Sequence, residues 1–184
     1  GITTGFGKFS NVSITKDESK ILQRNLIITH AVGAGEPFNT ETTRAIILLR
    51  INNLSKGYSG VKLETVMTMI EMLNKRVHPL IPQKGSLGAS GDLAPLSHMV
   101  LPMIGLGEAE YNGNFMNGSE AMEKSGIQII ELTSKEGLAL INGTQVMTAV
   151  GALAVYDAIN LAKAADIANA LEFEAHNGVV DALQ

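Results

Sequence analysis

A chain of 184 residues can bury a sizeable core, and its 45% hydrophobic content with only 4% aromatics favours closely packed helices over a β-sandwich. A net charge of −4 argues against a nucleic-acid backbone or an anionic membrane as partner, so a small soluble molecule is expected. The lack of cysteine excludes disulfides, thiolate catalysis and Cys-based metal sites, and it fits a reducing cytoplasm.

The glycine-punctuated stretch Gly1-Ile2-Thr3-Thr4-Gly5-Phe6-Gly7 reads as irregular loop, and a start at Gly1 in mid-turn reads as a fragment. Thr15-Lys16-Asp17-Glu18 is a capping box that predicts a first helix to about Ala31 or Val32, with Leu22, Leu26 and Thr29 or His30 at helical spacing and a stop at Gly33-Ala34-Gly35. Asn39 or Thr40 caps a second helix through Ile46, Ile47, Leu48, Leu49, Ile51 and Leu54, apolar enough to be buried on most sides. Leu63, Val66, Met67, Ile70, Leu73 and Val77 predict a third helix that Pro79 and Pro82 end.

After the loop at 85–91, Asp92 is placed to cap a helix with Pro95 in its first turn, kinked or ended by Pro102. Tyr111-Asn112-Gly113-Asn114-Phe115 predicts a small β-hairpin with a primed turn, and Ser119 caps a short helix stopped by Gly126. A long alanine-rich helix is expected from Thr144 to about Ala175, suited to close packing in a bundle. The expected organisation is a region 1–143 followed by the start of a bundle, 144–184. The longest apolar run, Val146 to Tyr156, reads as too short to span a bilayer. The histidines His30, His78, His98 and His176 show no metal-ligand spacing, so no metal is expected. His78 reads as a surface residue at a helix end, His98 as a helix packing residue and His176 as solvent-facing. The eight methionines read as core filler.

The most distinctive chemistry lies in Ala89-Ser90-Gly91. Gly88-Ala89-Ser90-Gly91-Asp92 does not make a nucleophile elbow, because aspartate stands where the last glycine is needed, and no phosphate-binding loop occurs. The tripeptide can condense with itself. Attack of the Gly91 amide nitrogen on the Ala89 carbonyl carbon closes a five-membered ring, and loss of two waters, one from that carbon and one from the Ser90 side chain, leaves a conjugated methylidene. Glycine suits the attacking position because nothing obstructs the compression. A tight turn before a helix is the alternative reading of the same residues.

Gly85 to His98 resembles the signature of the histidine and aromatic amino-acid ammonia-lyase family around its methylidene-imidazolone (MIO) group. Lys135-Glu136-Gly137-Leu138-Ala139-Leu140-Ile141-Asn142-Gly143-Thr144-Gln145 resembles its second hallmark, and Gly1 to Gly7 its Gly-Phe-Gly loop. The resemblance covers the whole chain and about a third of a typical member. It implies a mainly α-helical fold, a homotetramer built on a central helical bundle, and elimination of ammonia from an L-amino acid by a self-made MIO with no external cofactor. Ala89, Ser90 and Gly91 would form the MIO, Asn142 would hydrogen-bond near it and the substrate, and His30 would face the substrate ring. Asp92, Gly5 and Gln145 would support the site, Asp92 either assisting cyclisation or acting as a plain helix cap. Thr29-His30-Ala31 is more similar to the histidine branch, which forms trans-urocanate, than to the phenylalanine-specific members, which are apolar there, and Ala31 fits the histidine branch better than the tyrosine branch. Tyrosine ammonia-lyase or aminomutase activity is the alternative within the family, and a non-catalytic helical scaffold the alternative outside it. The catalytic tyrosine base and the arginine for the substrate carboxylate would lie beyond Gln184, so the 184-residue chain alone is expected to be inactive.

Overall fold

The computed structural model describes residues 2–87 and 91–183, which are mainly helical with two small antiparallel sheets. The first residues form a loop with a bridge between Thr4 and Ser13 and a 3-10 turn at Gly7–Phe9. Helix α1 (Lys16–His30) starts with the predicted reciprocal box: Thr15 Oγ1 accepts the Glu18 amide at 3.2 Å, and Glu18 Oε2 accepts the Thr15 amide at 2.7 Å. Its buried stripe is Ser19, Gln23 and Ile27, whereas Leu22 and Leu26 are half-buried beside it. Polar residues occupy this stripe because they are hydrogen-bonded there: Ser19 Oγ lies 3.1 Å from Ser134 Oγ, and Gln23 Oε1 accepts the Gly137 amide at 2.9 Å.

Strand β1 (Ala34–Pro37) leads to helix α2 (Thr40–Leu54), capped by Asn39 Oδ1 on the Thr42 amide at 2.8 Å. It buries Ile46, Ile47, Arg50 and Leu54 but leaves Leu48 exposed, so burial on most sides was an overestimate from its apolar run. Helix α3 (Leu63–Asn74) buries Val66, Met69 and Met72 while exposing Leu63 and Met67. It stops before Val77, because Arg76 adopts a left-handed conformation (φ 58°) that turns the chain into β2 (Val77–Pro79). Pro79 therefore sits in a strand, and Pro82 opens β3 (Pro82–Lys84), which pairs antiparallel with β1.

Helix α4 (Leu93–Val100) runs into a 3-10 segment, Leu101–Ile104, with Pro102 in its first turn. Strands β4 (Glu108–Tyr111) and β5 (Asn114–Asn117) form the predicted hairpin, and positive φ at Asn112 (51°) and Gly113 (78°) makes the turn a primed one. Strand β2 pairs with the other edge of β4, giving the order β2-β4-β5. His78 is thereby buried rather than exposed: its Nδ1 donates to Glu110 Oε2 and its Nε2 accepts from Arg44 Nη1, each at 3.3 Å. Helix α5 (Gly118–Lys124) has Asn117 at its cap position, so Ser119 lies inside the helix instead of capping it.

Two helices complete the chain: the short α6 (Glu136–Ile141), and the 31-residue α7 (Gln145–Ala175). Two compact units result, Gly1–Ala149 and Val150–Gln184, the division falling inside α7. In the first unit the core unites Ile27, Ile46, Met69, Leu96, Met103 and Leu140. In the second, α7 ends with the Gly178 amide donating to the Phe173 carbonyl at 2.8 Å, followed by a 3-10 segment at Val180–Leu183. Along α7, Val155, Tyr156, Leu161, Ile167 and Leu171 are exposed, as is His176 just beyond it. The helical stretch Glu136–Ala175 is, by length and composition, apolar enough to cross a membrane, which the shorter run read from sequence did not suggest. The alanines after Asp157 carry the apolar character onward. Helices buried in a bundle share that composition.

Candidate active site

The loop that opens at Gly85 is held at both ends. A Cβ on Gly85 would lie 2.9 Å from Gly33 Cα, so two backbones touch there, and Ser86 Oγ donates to Asp92 Oδ1 at 3.2 Å. Ala89 and Ser90 lie outside the described residues, together with Gly88. Gly91 is described, and it has a conformation that disfavours any side chain (φ 126°). A Cβ there would stand 2.9 Å from Gly143 N, 3.0 Å from Gly143 O and 3.5 Å from Asn142 Oδ1. The Asp92 amide adds a 2.7 Å hydrogen bond to Gly143 O. The structure thus brings Gly91, Asp92 and Asn142 together around the α6–α7 junction.

Asp92 occupies the cap position of α4 but makes no side-chain cap bond to it. Its Oδ2 instead accepts the amides of Val146 and Met147, both at 3.0 Å, so the buried carboxylate caps α7 from a distant part of the sequence. A negative group fits here because the first amides of a helix are unpaired donors at its positive end. The expectation of a local cap was therefore right in chemistry and wrong in helix.

Asn142 terminates α6 with an exposed side chain, and Gln145 opens α7. Both are tied to Arg50, which the sequence reading passed over. Arg50 is 2% exposed; its Nη1 donates to Gln145 Oε1 at 2.6 Å, and its Nη2 donates to Asn142 O at 3.1 Å and also to Ala139 O. Burial pushes the guanidinium down to about 10, which leaves it charged near neutrality. The available signal was a lone cation inside the apolar run Ile46-Ile47-Leu48-Leu49-Arg50-Ile51.

Glu136 is a second buried charge from the same segment. It accepts from Thr65 Oγ1 at 2.6 Å, the Lys62 amide at 3.0 Å, and the amide and hydroxyl of Thr133 at 2.8 and 2.9 Å. Burial raises its pKa, but these four donors outweigh that and leave it lowered. Its role is to hold α6 against the start of α3.

His30 is the last residue of α1, half-buried, and its Nδ1 donates to the Leu26 carbonyl at 2.8 Å. A carbonyl only accepts, so the neutral ring keeps Nε2 free of its proton as an acceptor. The chain just beyond is fixed by α4: the Gly33 amide donates to His98 Nε2 at 3.0 Å, and burial lowers the His98 pKa, favouring the neutral acceptor. The described hydrogen bonds of the His30 ring, to Leu26 O and Thr29 Oγ1, stay within α1, so His30 is not bonded into the Gly91–Gly143 cluster. Gly5 lies in the first loop, its amide donating to Val12 O at 3.1 Å. Among the described residues no group of three His, Asp or Glu side chains could hold a metal ion.

The aromatic amino acid lyase family model matches residues 1–184. A histidine ammonia-lyase of Alkaliphilus oremlandii is 69% identical over 182 residues, which cover 99% of this chain and 36% of that protein. The crystal structure of histidine ammonia-lyase from Trypanosoma cruzi superposes with a TM-score of 0.92 at 40% identity, over 100% of this chain and 36% of that one. Tyrosine aminomutase from Streptomyces globisporus gives 0.87 at 40% identity, over 95% of this chain and 33% of that one. The chain spans about a third of the length of these relatives. Matched along its full length by that family model, the chain belongs to the aromatic amino acid lyases.

Proposed function

We propose that this chain is the electrophile-bearing part of a cytoplasmic, homotetrameric ammonia-lyase that converts L-histidine to trans-urocanate and ammonia. The observation that carries the reading is the cradle at Gly91, where a left-handed glycine lies against the Gly143 backbone and Asn142. A side chain would obstruct it, and ring closure through the Gly91 nitrogen needs none. The residues present therefore fit an MIO made from Ala89, Ser90 and Gly91. Formed in that place, the group would supply an electrophile that makes the substrate amine a better leaving group while the adjacent, weakly acidic carbon loses its proton. Asn142 offers its side-chain amide beside it, Asp92 fixes the exit of the loop, and Gln145 steadies the junction through Arg50. His30 offers an Nε2 acceptor to the N–H of an imidazole substrate.

The histidine assignment is supported by the names of the relatives from Alkaliphilus oremlandii and Trypanosoma cruzi. A tyrosine-specific lyase or aminomutase is the second reading, favoured by the similarity to tyrosine aminomutase. Because relatives are about three times longer, further residues would complete the site, and the 184-residue chain alone is expected to give no steady turnover. Intact-mass measurement of the full-length protein should show a deficit of two waters in the peptide holding Ser90, absent in Ser90→Ala. Urocanate should form from histidine and no coumarate from tyrosine. A full-mass peptide would overturn the electrophile, and turnover of tyrosine alone would overturn the substrate.

A further inference from the structure

Gly143 lies between two groups that the sequence places far apart. On one side it meets Gly91, with the Asp92 amide donating to its carbonyl at 2.7 Å. On the other it meets the Arg50 guanidinium, close enough that a Cβ on Gly143 would collide with Nη1. Arg50 in turn holds the chain before and after this glycine: Nη2 takes the carbonyls of Ala139 and Asn142, and Nη1 takes the side chain of Gln145. All of its described hydrogen-bond partners are neutral oxygens, and its Nε is buried without one. Burying a cation so incompletely compensated is costly, and an apolar residue would fill the place more cheaply. A merely structural role leaves that cost unexplained. The α6 C-terminus, with its negative dipole end, is where a cation gains most.

We propose that Arg50 is a positioning residue for formation of the electrophile: it fixes the Asn142–Gly143 peptide as the rigid surface against which Gly91 is pressed before ring closure. The inference rests on the proposed self-made MIO and deepens it. Closure joins the Gly91 nitrogen to the Ala89 carbonyl carbon and releases two waters, one carrying that carbonyl oxygen and one the Ser90 hydroxyl. Arg50 touches none of these atoms. It acts through Gly143, by removing the freedom of the surface that compresses the loop.

The test uses the full-length protein with Arg50→Met, Arg50→Lys and Gln145→Ala, beside wild type and Ser90→Ala. The readouts are the two-water deficit followed over time by mass, and helicity and melting temperature by circular dichroism. Arg50→Met should keep its helicity yet close about tenfold more slowly or worse, since each lost ~1.4 kcal/mol of barrier lowering is a factor of ten. Arg50→Lys should close at an intermediate rate, because one ammonium reaches one carbonyl but not all three partners. If Arg50→Met does not fold, Gln145→Ala carries the test, and it should slow closure while melting like wild type. Wild-type closure rates in the folded variants, with only the melting temperature lowered, would overturn the role of Arg50. A wild-type protein without the deficit would instead overturn the electrophile itself, before any variant is compared.

Discussion

Asp92 shows how one side chain can serve a helix other than its own. Its carboxylate receives three hydrogen bonds, from Ser86 Oγ and the amides of Val146 and Met147. Removing it in Asp92→Ala leaves two helix-start amides unpaired, and loss of a cap costs about 1–2 kcal/mol. Asp92→Asn keeps an oxygen toward α7 and should lose less than half as much in urea denaturation. Equal losses in the two variants would mean that charge at the helix end, not hydrogen bonding, carries the contact. The residue was legible as a cap because its type and its place before a helix are local facts. Which helix it caps was not legible, since that depends on a fold that brings residue 146 beside it. Arg50 was missed for the same reason: its partners at 139–145 are invisible from within α2.

At the scale of elements, Glu136 joins the start of α3, the turn at Thr133 and the start of α6. Its folded pKa lies below the usual carboxylate value of 4.5, so its contribution to stability is fully present above that value. As pH falls through the lowered folded pKa, that contribution disappears. Acid unfolding of wild type should therefore steepen below about pH 4.5, and Glu136→Gln should flatten that part of the curve while destabilising the protein near neutrality by about 1–3 kcal/mol. A wild-type slope retained in Glu136→Gln would assign the acid transition to other carboxylates. Elements with local signals, such as the Thr15–Glu18 box, the Asn39 cap and the Asn112-Gly113 turn, were legible in sequence. Strand β2 and helix α6 were not: each is short, and β2 gains its pairing from β4, more than twenty-five residues on in the chain and without a hairpin turn between them. Val77 completed a helical spacing by coincidence, and left-handed Arg76 overrode it.

Over the whole molecule, the two units differ in how they bury apolar groups. The first has a continuous core, whereas the second carries Val155, Leu161, Ile167 and Leu171 exposed along α7. Large apolar side chains exposed around a helix favour association. The 184-residue chain should sediment as an oligomer at micromolar concentration, and Leu161→Glu with Leu171→Glu should shift it toward monomer without changing the far-ultraviolet signal. A monomer before substitution would count against this. The cluster at Gly143 also fixes an order of events. Its bonds close long loops, with Asp92 and Val146 separated by 54 positions and Arg50 and Gln145 by 95. Such contacts form late, because loop-closure entropy must be met before they stabilise anything. The contact of Gly91 with Gly143 therefore cannot exist in a nascent chain that has not yet extended past the first turn of α7. The ring closure proposed above depends on that contact, and on this reading it is a clock, started by completion of the tertiary fold and silent in the unfolded polypeptide.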